Sequence, residues 1–91
     1  MTPTNRRETL IEFPCQFPIK AMGLASADFD ALVVELILRH VDKINEGAVK
    51  TKTSSSGKYT SVTVTFEALN QAQLDNVYRE LTGHERILTT L

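Results

Sequence analysis

The side chains best suited to metal binding or nucleophilic chemistry in this 91-residue chain are one cysteine and two histidines. Cys15, His40 and His84 are scattered and show none of the short spacings that gather ligands around one ion. His40 falls near the end of a helical stretch, where an imidazolium meets the helix dipole, and His84 falls in a loop. Cys15 shares the phase of Phe17 and Ile19, which turns its thiol toward apolar packing and away from a cleft. Asp28 and Asp30 are two residues apart on a helix, so they do not face each other as an acid/base pair would. Ser56-Gly57-Lys58-Tyr59 resembles the end of a phosphate loop, but the upstream glycine is missing. Tyr59 also replaces Ser/Thr, and a strand follows where a helix is required. The residues therefore assign no catalytic group, no metal and no cofactor.

Lysines are the remaining chemistry, and the elements that carry them follow from hydrophobic periodicity. Between Cys15 and Met22, Phe17, Ile19 and Ala21 alternate with Gln16, Pro18 and Lys20, which marks a first strand closed by Gly23. Pro18 lacks a backbone donor and is awkward in a central strand. A helix is expected from about Ala27 to Val41, capped by Ser26, with Phe29, Leu32, Val33, Leu36, Ile37 and His40 on one stripe. Asn45-Glu46-Gly47 is the turn after it. Ala48–Thr53 and Lys58–Glu67 form two strands split by Ser54-Ser55-Ser56-Gly57, with Val62, Val64 and Phe66 facing the core. Asn70-x-x-Gln73 has the form of a capping box opening a second helix, Gln71 to Leu81. Leu74, Val77, Tyr78 and Leu81 form its stripe, and Gly83 is placed to end it as a C′ residue. A last strand covers Arg86–Leu91.

This β-α-β-β-α-β order is the ferredoxin-like plan, an α+β sandwich. It predicts a four-stranded antiparallel sheet, order 4-1-3-2, with two helices on one face and the other face open. A hairpin closed by Thr53 and Lys58 pairs Thr51 with Thr60 and Val49 with Val62 on the helix side. Lys52 then pairs with Tyr59, and Lys50 with Ser61, on the open face. Thr63, Thr65, Lys20 and Gln16 continue that face into one patch. It is polar and mildly basic, with three hairpin lysines (Lys50, Lys52 and Lys58) and no acidic residue between Glu46 and Glu67. Such a face suits an anion, an acidic partner segment or a second copy of the chain. The same lysines also keep an edge strand soluble.

The bulk composition limits the alternatives. Ten basic and eleven acidic side chains give a net charge of −1, which is not the charge of a nucleic-acid-binding domain. An RNA-recognition sheet of this topology stacks bases on aromatics of its central strands. Here only Tyr59 is available, since Phe17 and Phe66 have core parity. A lone cysteine forms no internal disulfide, no apolar run approaches the ~20 residues of a membrane span, and Met1 to Glu12 holds no signal-peptide core. The expectation is a cytoplasmic protein with a flexible segment 1–9 and one domain over 10–91.

Leu10-Ile11-Glu12-Phe13-Pro14, Phe17, Lys20-Ala21-Met22-Gly23, Ser55-Ser56-Gly57-Lys58-Tyr59-Thr60-Ser61-Val62 and Tyr78-Arg79-Glu80-Leu81 resemble the YbeD family of small bacterial proteins. The likeness runs from about residue 10 to the end and is loose over Ile87–Leu91. It implies a ferredoxin-like fold akin to the ACT regulatory domains, and no catalytic residues to carry over. ACT-type ligand sites lie at a dimer interface beside a glycine turn after strand one, which the resemblance places at Gly23. ACT domains usually accompany an enzyme domain. None is expected here, so a ligand role would act on a separate protein.

The combined expectation is a non-enzymatic regulatory or adaptor module that binds a small ligand or a protein, with a homodimer among the arrangements it admits. Its binding residues are Lys20, Gly23, Lys50, Lys52, Lys58, Tyr59 and Ser61. The alternative is a weak nucleic-acid binder using the basic hairpin.

Overall fold

The computed structural model describes residues 12–91. The expectation of a flexible segment 1–9 lies outside the described residues. The order of elements is β1 (Cys15–Leu24), α1 (Phe29–Leu38), a 3-10 turn (Glu46–Ala48), β2 (Val49–Thr53), β3 (Tyr59–Ala68), α2 (Gln71–Thr82) and β4 (Thr89–Thr90). The strands form one antiparallel sheet in the order β2-β3-β1-β4, the neighbours that the ferredoxin-like plan requires.

β1 and β3 form the spine, ten paired residues from Cys15↔Ala68 to Leu24↔Tyr59. Alternation sorts their side chains. Ile19 and Ala21 of β1, and Val62, Val64, Phe66 and Ala68 of β3, are buried against Phe29, Val33, Leu36 and Ile37 of α1 and Leu74, Val77 and Leu81 of α2. Both faces were read correctly from the sequence. Cys15 and Phe17 are half-buried against the same cluster. Pro18 tolerates its place because β4 reaches only as far as Lys20. There Lys20 N–H donates to Leu91 O at 3.0 Å and Leu91 N–H donates to Lys20 O at 2.7 Å. Pro18 has the parity of Lys20, so its missing donor falls where no strand pairs.

The hairpin register differs from expectation by two residues. The pairs are Thr53↔Thr60, Thr51↔Val62 and Val49↔Val64 on the helix side, and Lys52↔Ser61 and Lys50↔Thr63 on the open face. The loop closes one residue later than the Thr53–Lys58 pair. Ser54 N–H donates to Tyr59 O at 2.8 Å, Tyr59 N–H donates to Ser54 Oγ at 3.1 Å, and Gly57 takes φ +76° within the turn. The loop keeps four residues but moves on by one, to 55–58, with the Ser54 hydroxyl accepting across its neck. A slip of two leaves every face unchanged. β2 also lies beyond the helical layer, so Thr51 and Thr53 are exposed on the helix side.

Helix termini account for the other differences. α1 starts at Phe29 with Asp28 as N-cap residue, not at Ala27 after Ser26. The Ser26 hydroxyl and the Asp28 carboxylate are both occupied by Arg86, from the turn before β4. α1 ends at Leu38, three residues short of Val41, although Val41 still packs in the core. The turn expected at Asn45-Glu46-Gly47 is present as the 3-10 turn, closed by Ala48 N–H donating to Asn45 O at 3.0 Å. The capping box is half as expected: Asn70 Oδ1 accepts from Gln73 N–H at 2.8 Å, but Gln73 Oε1 accepts from Leu69 N–H at 2.7 Å. Gly83 is the C-cap with φ −82°, a right-handed conformation, and is no left-handed C′ residue. Its N–H donates to Arg79 O at 2.9 Å. β4 shrinks to Thr89–Thr90 because Arg86 is drawn into a turn closed by Ile87 N–H to His84 O, 3.0 Å.

Candidate functional site: the open sheet face

The helices cover one side of the sheet, and among the described residues no element covers the other. Its side chains stand in rows that the register defines. Lys20, Thr63 and Lys50 form one row across β1, β3 and β2. Met22, Ser61 and Lys52 form the next. Lys50 and Lys52 are exposed, while Lys20, Ser61 and Thr63 are half-buried. Strands lie about 4.8 Å apart, so Lys20 and Lys50 flank Thr63 with roughly 10 Å between their backbones. Two ammonium groups at that distance repel each other weakly in water, and an anion between them relieves the repulsion. A cleft of about 300 Å³ opens beside this row, lined by Asn45, Gly47, Ala48, Lys50, Thr63 and Thr65. Glu67, opposite Gln16, brings the face its acidic side chain at the far end of β3.

The opposite end of the face is aromatic and apolar. Leu24 pairs with Tyr59 and is 57% exposed. Lys58 Nζ lies 5.4 Å from the centroid of the Tyr59 ring. The cation on this ring is therefore Lys58 and not Lys52, which the two-residue slip carries to Ser61. Ser61 Oγ donates to Lys52 O at 3.4 Å, a long bond across the pair.

Of the seven residues singled out in the sequence, Lys20, Lys50, Lys52, Tyr59 and Ser61 share this face, with Lys58 at its rim. Gly23 stands apart. It lies inside β1, paired with Thr60, and is buried. A β-carbon there would meet Phe29 Cε1 at 2.5 Å and press on Arg86 O. β1 continues through Leu24, so Gly23 forms no turn, and its lack of a side chain serves packing against α1.

Ion pairs tie the helical layer, and sequence reading missed them because their partners are distant. Arg86 Nη2 donates to Asp28 Oδ1 at 2.8 Å and to Ser26 Oγ at 2.6 Å, while its Nη1 donates to Asp28 Oδ2 at 3.1 Å. The Arg86 hydrogen bond, helped by Ser26, lowers the Asp28 carboxyl to about 2, and Asp28 in turn raises Arg86. Glu80 lies 2.8 Å from His40 Nε2 and 2.9 Å from Arg39 Nη1. The hydrogen bond with His40 and the Arg39 guanidinium lower its carboxyl. His40 thus bonds a carboxylate on α2, where a helix-dipole contact was expected. Burial raises the Tyr78 phenol. His84 Nδ1 accepts from Arg86 N–H at 3.2 Å. Among the described residues no three His, Cys, Asp or Glu side chains are grouped to hold a metal ion, and no helix is long and apolar enough to cross a membrane.

A family model described as "Protein of unknown function (DUF493)" matches residues 8–91. The chain belongs to the DUF493 family. Proteins called UPF0250 match over their full length: 45% identity over 91 residues in Paraburkholderia phymatum, and 42% over 91 residues in Neisseria gonorrhoeae, each covering 100% of both chains. This bears out the YbeD resemblance read from the sequence. The solution structure of Helicobacter pylori protein HP0495 superposes with a TM-score of 0.74 at 16% identity, covering 100% of this chain and 96% of that one. At that identity the likeness speaks for the fold alone, and it agrees with the ferredoxin-like α+β arrangement. For the DUF493 family the description carries no activity, so the functional reading rests on the geometry of the face.

Proposed function

We propose that this chain is a non-enzymatic adaptor or regulatory module that takes an acidic segment of a partner protein on its open sheet face. The observation that supports this reading is the row Lys20–Thr63–Lys50, with Lys52 in the next row. Three cations and a line of hydroxyl donors stand on a surface that no element among the described residues covers. The cleft at Lys50, Thr63 and Thr65 accepts one side chain of the segment, and Leu24 with Tyr59 supplies apolar contact at the other end. Carboxylates of an extended segment would meet ammonium and hydroxyl groups together, in charge-assisted hydrogen bonds.

The test uses a fluorescent peptide of alternating glutamate and glycine, titrated with the full chain. Binding is expected to weaken steeply as salt rises, because exposed charges are screened. The Lys50→Glu, Lys52→Glu double variant should keep the fold, as read by circular dichroism, and lose at least tenfold in affinity. Undiminished binding by the folded double variant overturns the reading. Tighter, sequence-selective binding of a single-stranded RNA at physiological salt would replace it with the nucleic-acid alternative.

A further inference from the structure

The two helices of the covering layer have different outer surfaces. α2 buries Leu74, Val77 and Leu81 and turns Gln71, Asp75, Asn76 and Arg79 to solvent. α1 buries Phe29, Val33, Leu36 and Ile37 but carries a second apolar stripe toward the outside, exposed Ala31 and Leu38 with half-buried Val34 between them, at i, i+3 and i+7. Leu38 is 42% exposed, and the stripe floors a shallow depression of about 480 Å³. A helix that is apolar on both sides is ordinarily covered on both.

We propose that this outer face of α1 is a self-association surface, occupied by α1 of a second copy of the chain running antiparallel across a two-fold axis. The flanking charges select that occupant. Glu35 and Arg39 lie one turn apart on the same flank of the stripe. A two-fold axis perpendicular to the helix keeps that flank on its own side and reverses its direction. Glu35 of each copy then meets Arg39 of the other, with the axis midway, at position (35 + 39)/2 = 37. That centre sets Leu38 beside the axis, against Leu38 and Val34 of the second copy. Arg39 Nη1 is already held by Glu80 at 2.9 Å, which fixes the guanidinium, and its side chain stays 54% exposed. A flank of one sign would repel its own copy, whereas this one is complementary to itself.

α1 has ten residues, so the seam is about 15 Å long. That is below the size of a stable interface, and the expected dimer is weak, with dissociation of about 0.1 mM. The experiment is sedimentation equilibrium of the full chain at low salt, over a concentration range spanning that value. The wild type should shift from monomer to dimer. Leu38→Asp, at an exposed position, should keep the circular dichroism spectrum and weaken association at least tenfold. Glu35→Arg alone and Arg39→Glu alone should each weaken it, because each sets like charges against each other. An equimolar mixture of the two should associate again as a heterodimer, since each repelling pair becomes an attracting one. If Arg39→Glu fails to fold beside Glu80, Leu38→Asp decides alone. A wild type that stays monomeric throughout overturns the proposal, as does a Leu38→Asp variant that dimerises unchanged. The Lys50→Glu, Lys52→Glu variant should dimerise normally. If it is the variant that abolishes the dimer, the interface is the sheet face and α1 is excluded, whatever the fate of the acidic-segment reading.

Discussion

Replacing Gly23 with alanine sets two physical effects against each other. In a free strand the change would stabilise by about 0.5–1 kcal/mol, because alanine surrenders less backbone entropy on folding. In this strand the added methyl would lie 2.5 Å from Phe29 Cε1 and 2.7 Å from Cζ, and against the carbonyl of Arg86. Carbon atoms rest at about 3.5–4.0 Å, so the ring must retreat by about 1 Å. Phe29 has nowhere to go: it is fully buried at the start of α1, with Val33 one turn behind it. The Arg86 carbonyl belongs to the turn that the Asp28 and Ser26 bonds pin down. Overpacking of this kind costs about 1–3 kcal/mol, and here no flexible side-chain end is available to relieve it. The net expectation is a loss of about 2 kcal/mol, or roughly 8–16 °C in midpoint for a domain of this size. Urea unfolding followed by circular dichroism checks it, with a lower midpoint and an unchanged slope. Gly47→Ala is the control, because nothing lies within 4 Å of its added carbon. It should fall within about 0.5 kcal/mol of wild type. A Gly23→Ala protein as stable as the Gly47→Ala protein would refute the packing role of Gly23.

Other outcomes follow from the same contacts. Leu36→Ala and Val64→Ala, each in a fully packed position, should lose about 2–4 kcal/mol by urea unfolding, and losses below about 0.5 kcal/mol at both would mean the buried faces are inverted. Asp28 is held low by Arg86, so its contribution is complete above its ordinary value of 3.8 and disappears as pH falls from there through about 2. Arg86→Gln should remove that part of the acid sensitivity, and a carboxyl titration of Asp28 by NMR that still ends near 2 in the variant would assign the shift elsewhere. Gly57→Ala should lose about 1 kcal/mol, since φ is +76° there, and an unchanged midpoint would show that the turn adopts another shape.

The fold is legible in the sequence where a short-range pattern controls the outcome. Which side of β3 is buried follows from Val62, Val64 and Phe66 alternating with Thr63 and Thr65, and that parity survives any even slip of the hairpin. The slip itself depended on Ser54 Oγ and Tyr59 meeting across the loop, a side-chain bond with no periodic trace. The start of α1 was misplaced for a similar reason. Ser26 is a good cap in isolation, but Arg86, sixty residues on, takes its hydroxyl. A separation of forty residues likewise conceals the bond from His40 to Glu80. Five of the lysine-face residues are legible because alternation alone puts them there, while the turn expected at Gly23 is strand, because steric need and turn geometry use the same residue type.

The β1–β3 spine joins positions at least 35 residues apart, from Leu24↔Tyr59, to 53 apart, at Cys15↔Ala68. Nothing local announces that pairing, and the chain must close a long loop before the first pair forms. The basic surface therefore has no existence in fragments. A peptide spanning the β2–β3 hairpin would carry Lys50, Lys52 and Thr63 but lack Lys20, and its two strands alone are marginal in water. A partner that requires the Lys20–Thr63–Lys50 row, as proposed, would distinguish a chain in which β1, β2 and β3 have paired from one in which they have not.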